Sequence, residues 1–105
     1  KTMTKVKQLA NNQFIITEHK GNTYFQSYDS IIAKIPDLYW YKNNPNSVFT
    51  QTNSNKHRFQ IELDKKYWNY SKTTSKYRNK FLGETTKETQ AKIDSGDYIL
   101  TDLNQ

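Results

Sequence analysis

The chain contains no cysteine, which removes disulfide frameworks, thiol nucleophiles and most structural zinc sites and fits a reducing compartment. Glycine occurs only at 21, 83 and 96, so no Gly-rich loop is available to cradle a phosphate. Histidine occurs only at 19 and 57, neither in a metal-ligand spacing, and each reads as a surface or strand residue. No apolar run approaches the roughly 20 residues needed to cross a bilayer. The N-terminal stretch lacks the apolar core of a signal peptide, so the expectation is a soluble, intracellular protein. Catalytic, metal and cofactor sites are all expected to be absent. The pairs Glu62/Asp64 and Asp94/Asp97 read as capping and solubility residues, and the Ser-Tyr-Asp cluster at 27–30 as a turn rather than a nucleophile.

Hydrophobic residues make up only 33 % of the 105 residues and mean hydropathy is −1.05, values that by themselves would fit a disordered chain. Aromatic residues at 14 % argue the other way, because eight tyrosines, five phenylalanines and two tryptophans can build a modest core. One domain over residues 1–105 follows from the length.

The net charge of +6 is unevenly distributed. Residues 1–83 carry fourteen Lys/Arg against five acids, a net +9, whereas residues 84–105 carry two lysines against five acids, a net −3. Such a body favours polyanionic partners. Lysine outnumbers arginine fourteen to two and asparagine is abundant, a bias that an AT-rich genome also produces.

Thr4 can cap a short helical turn with Val6 and Leu9 on one side, interrupted by Asn11 and Asn12. β-Branched and aromatic residues over 13–19 and 22–26 read as a hairpin joined by Lys20-Gly21, and 30–35 as a third strand ending before Pro36. Residues 36–56 form an Asn-rich excursion, either a second hairpin with its tip at 43–47 or an irregular loop. The alternation of Phe59, Ile61 and Leu63 with Arg58, Gln60 and Glu62 predicts a half-buried strand over 57–63. Ser71 or Thr73 can cap a helix running to Leu82, and Gly83 can end it. At 100° per residue, Tyr70, Thr74, Tyr77 and Phe81 form a packing stripe, with Lys72, Lys76 and Lys80 on the far side. Thr85 and Glu88 have capping-box spacing, Glu88 and Lys92 an i,i+4 pairing, and Gly96 closes this second helix before a last strand over 97–103. The fold class is α+β: a mainly antiparallel sheet of about five strands, with two short C-terminal helices packed on one face.

The stretch 65–80, KKYWNYSKTTSKYRNK, holds five lysines and an arginine, no acid, and four large aromatics. Lysines four apart on a helix face can meet successive phosphates, and rings beside them can stack on unpaired bases. The candidate nucleic-acid contacts are Lys65, Lys66, Lys72, Lys76, Arg78 and Lys80 for phosphates, with Tyr67 and Trp68 for stacking. The competing structural reading makes the lysines a solvated helix face and the rings core. No RNP motif, zinc finger or helix-turn-helix pair accompanies the patch.

The run 23–35, TYFQSYDSIIAKI, together with 66–97, KYWNYSKTTSKYRNKFLGETTKETQAKIDSGD, resembles a small domain of unknown function found in phages, plasmids and integrative elements of low-GC Gram-positive bacteria. The likeness rests on a YFQSYDS-like segment before a strand and a YS-x-TT-x-KY-x-x-x-FL helix, and covers about two thirds of the chain. It implies a mobile-element origin and carries over no catalytic residue. Residues 36–56 are longer than the corresponding loop in such relatives.

The resulting expectation is a non-enzymatic accessory protein of a phage or mobile element that engages nucleic acid or a nucleoprotein complex. The alternative is an anti-CRISPR-like inhibitor of a host defence protein, with Leu38, Tyr39, Trp40, Tyr41 and Phe49 as interface anchors. A third reading is a partner-binding subunit of a phage particle.

Overall fold

The computed structural model describes residues 4–19, 21–37, 39 and 60–104. Six strands, β1 (Thr4–Ala10), β2 (Gln13–Glu18), β3 (Thr23–Ser27), β4 (Ser30–Ile35), β5 (Glu62–Asp64) and β6 (Ile99–Thr101), and two helices, α1 (Lys72–Leu82) and α2 (Thr86–Ser95), make up the described residues. The strands form one sheet in the order β1-β2-β3-β4-β5-β6, every pair antiparallel except β5 with β6. A parallel pair needs a long crossover, and residues 65–98 with both helices supply it. This is the α+β architecture that the pattern of elements implies.

The segment from Thr4 is a strand rather than the helical turn that its capping residue allows. It pairs with β2 from Thr4 opposite Glu18 to Ala10 opposite Gln13, so the ladder outweighs the local signal. As the outer strand it leaves Val6 62 % exposed. Asn12 closes this hairpin at φ 63°, a left-handed position that asparagine tolerates. Strand β4 stops before Pro36 as its ring demands. The expected strand over 57–63 is seen as Glu62–Asp64, with its residues 57–59 outside the described set. Of the 36–56 excursion, only Pro36, Asp37 and Tyr39 are described.

The ladder aligns Ile15, Phe25, Ala33 and Leu63 in one row across the sheet, so these side chains share a face. Phe25, Ile32, Ala33, Ile61, Leu63 and Tyr98 form the buried cluster, and both helices reach it, α1 through Tyr77, Phe81 and Leu82 and α2 through Ile93. The Phe81 ring stacks on Phe25, centroids 5.7 Å apart. Both helices end as their glycines allow: Gly83 at φ 70° and Gly96 at φ 87° adopt the left-handed conformation, which glycine enters with least backbone strain.

Candidate nucleic-acid interface

The basic stretch begins as a turn built on one carboxylate. Asp64, 1 % exposed at the end of β5, accepts from the backbone N–H of Lys66 (3.1 Å) and Tyr67 (2.9 Å) through Oδ2, and from Leu103 N–H (2.9 Å) through Oδ1. Burial pushes this carboxyl up, but the hydrogen bonds from Leu103, Asn104, Tyr67 and Lys66 together outweigh it and hold it below the usual carboxylate range. Lys65 N–H donates to Thr101 O, so the turn is tied to β6 as well. The two lysines it carries, Lys65 and Lys66, project into solvent.

Helix α1 follows. Ser71 is its N-cap, accepting from Thr74 N–H at 3.1 Å. Lys72, Lys76 and Lys80, four residues apart, are all exposed on one side. Lys76 and Lys80 bracket the half-buried Tyr77 ring at 5.3 and 5.4 Å from its centroid, and Lys66 lies 5.3 Å from that of Tyr67. All ten acidic residues lie within the described part of the chain. None of them forms an ion pair with Lys65, Lys66, Lys72, Lys76 or Lys80 among the described residues. The acidic C-terminal segment engages its own cation: Glu84 takes Lys92 at 2.7 Å, and Glu88, read from the sequence as its i,i+4 partner, adds a weaker favourable charge interaction.

Three assignments made from the sequence change. Arg78 does not stand with the lysines; one turn after Thr74 it is fully buried, donating to Trp68 O, Asn79 Oδ1 (2.8 Å) and Thr86 Oγ1 (2.9 Å) with its guanidinium 5.1 Å from the Trp68 ring centroid. Burial lowers its pKa, and the charge of Glu84 opposes that shift. Tyr67 and Trp68, expected as stacking surfaces, are half-buried and pack against the core. Tyr70, expected on the packing stripe, precedes the helix and is 70 % exposed. Among the residues of the alternative interface, Tyr39 is half-buried against the core, and Leu38, Trp40, Tyr41 and Phe49 lie outside the described residues.

Beside the N-terminus of α1 the structure opens a cleft of about 410 Å³. One wall is the β3–β4 turn with Tyr28, Asp29 and Ser30, and the other is Tyr67 and Tyr70. Ser27 and Thr74 meet across it, their hydroxyl oxygens 2.9 Å apart. Tyr28 was not singled out from the sequence as a contact. It sits at φ 56°, the left-handed region, and the residue is 53 % exposed. The turn is held there by Tyr28 N–H donating to Asn12 O (2.7 Å) and by Gln26 Nε2 donating to Tyr28 O (2.7 Å). The two segments that carry the resemblance, YFQSYDS and YS-x-TT, are the two sides of this cleft.

Among the described residues no group of three or more His, Cys, Asp or Glu side chains could hold a metal ion, and no helix is long and apolar enough to cross a membrane. No curated protein and no solved structure matches the chain. A family model described as a family of unknown function, DUF8033, matches residues 1–97, so the chain belongs to that family.

Proposed function

We propose that this member of DUF8033 is a non-enzymatic accessory protein that engages nucleic acid, free or within a nucleoprotein complex, through the exposed lysines of the 65–70 turn and helix α1. The observation that carries the reading is five exposed ammonium groups, at 65, 66, 72, 76 and 80, none of them ion-paired among the described residues. Each that meets a phosphate releases condensed counterions, an entropic gain that needs no base contact. With Arg78 buried, the patch presents point charges rather than bidentate forks, so it is suited to tracking a backbone rather than reading base edges. The likeness of 23–35 and 66–97 to domains carried by phages, plasmids and integrative elements supports a mobile-element origin, and with it action in the cytoplasm of a bacterial host.

A filter-binding titration of the protein with single-stranded and duplex nucleic acid across a salt series tests this. Phosphate contact by all five lysines gives a slope of log affinity against log salt of roughly −3.5 for a single strand and about −4.5 for a duplex. A salt-independent response, or no retention at the lowest salt, would refute the reading.

A further inference from the structure

We infer that the cleft between the β3–β4 turn and the start of α1 takes an unstacked nucleobase, which makes the preferred ligand a single strand rather than a duplex. The inference deepens the phosphate-binding reading and rests on it for the backbone contacts. Its own support is separate. A pocket of about 410 Å³ falls in the size range of small-ligand sites, about 300 to 1,000 Å³. Two of its aromatic residues, Tyr28 and Tyr70, are 53 % and 70 % exposed, whereas Tyr67 beside them is half-buried against the core. Tyr70 is oriented by an edge-on contact with Tyr67, centroids 5.4 Å apart. Exposed rings lining a cleft are stacking platforms for bases of any sequence.

The backbone points the same way. Glycine or asparagine would sit at φ 56° with less strain than tyrosine, yet the turn holds a large ring there, at the mouth of the cleft. The polar lining also sorts the two ends of a nucleotide. The Asp29 carboxylate accepts hydrogen bonds only and repels phosphate, so it suits the amino-bearing edge of cytosine, adenine or guanine. Lys66 lies 5.3 Å from the ring centroid of Tyr67, which lines the opposite wall, and Lys72 begins α1, so cations for the phosphates stand near that side. A paired base inside a duplex cannot reach such a cleft without leaving its stack.

Fluorescence anisotropy with three probes of equal length, an oligocytidylate strand, an abasic strand and a duplex, separates the two layers of the argument. The base-bearing strand should bind roughly tenfold or more tighter than the abasic strand at the same salt. The double variant Tyr28→Asn/Tyr70→Ser should erase that preference, whereas Tyr28→Phe/Tyr70→Phe, which keeps the rings, should retain it; both sites are exposed, and equal melting temperatures establish that the folds are equivalent. An oligothymidylate strand should bind more weakly than the oligocytidylate, and equal affinity would overturn the role given to Asp29. Equal affinity for abasic and base-bearing strands, with salt dependence intact, overturns the cleft inference and leaves the phosphate reading standing. No affinity for any probe overturns both and leaves the exposed rings as a protein contact.

Discussion

Asp64 is the residue on which the basic turn and the C-terminal strand both depend, and Asp64→Asn isolates its charge from its shape. The carboxylate satisfies three backbone donors, two from the turn through one oxygen and one from Leu103 through the other. An asparagine offers one oxygen. If that oxygen faces the turn, the amide NH₂ confronts Leu103 N–H; in the flipped arrangement two turn donors are left facing it. The cheaper arrangement leaves one buried donor unsatisfied, about 1–3 kcal/mol, and weakens the remaining bonds by removing the charge. A loss of about 2–4 kcal/mol at neutral pH is expected, read as a lower urea midpoint at unchanged m value. The pH dependence carries a second signature. Because the folded carboxyl titrates below its ordinary 3.8, its stabilisation is complete above that value and is lost as pH falls through the lowered one. The variant should therefore lose less stability on acidification than the parent. A cost below about 0.5 kcal/mol, or an unchanged acid limb, would show that the turn does not rely on this carboxylate.

Glu84 is predicted to govern the other polar cluster. It accepts from Lys92 (2.7 Å), Tyr98 (2.8 Å) and Thr89 (2.5 Å), and although burial raises its pKa, these bonds hold it below 4.5. Its stabilisation is present above that value and is lost as pH falls through the lowered one. Glu84→Gln should cost about 2–4 kcal/mol near neutrality and flatten the acid limb of a urea-midpoint profile. Lys92 shifts upward beside Glu84, so its share holds below pH 10.5 and fades as pH rises through the raised value, readable in the alkaline limb of the same profile. Phe81→Ala removes a half-buried ring stacked on Phe25 and should cost about 2–3 kcal/mol in thermal or urea unfolding, less than a fully buried phenylalanine. Lys72→Ala/Lys76→Ala/Lys80→Ala should leave the melting temperature nearly unchanged and reduce the salt slope of nucleic-acid binding by roughly 2 to 3; an unchanged slope would remove α1 from the interface.

What could be read in the chain itself is what is decided within a turn or so of backbone. Ser71 and Gly83 bound α1, and Thr85 with Glu88 and Gly96 bound α2, because caps join groups three to five residues apart. The β2–β3 hairpin and the stop before Pro36 are of the same kind, as is the outward row of Lys72, Lys76 and Lys80, which helical spacing alone imposes. Distant pairing decided the rest. Thr4 carries a helix-cap signal that an adjacent strand overrides, and 99–101 becomes a parallel strand because a two-helix crossover returns it beside β5. Arg78 reads as one more cation until the 65–70 turn and Thr86 offer it buried acceptors, and Tyr70 reads as core until the turn leaves it in solvent. The cleft joins segments far apart in the chain, as the contact of its lining residues Ser27 and Thr74, 47 residues apart, shows. Local chemistry set the helix bounds, the β2–β3 hairpin and the exposed cations of α1. Tertiary packing, which brings remote segments into contact at a loop-closure cost no short window records, decided which rings and charges face water.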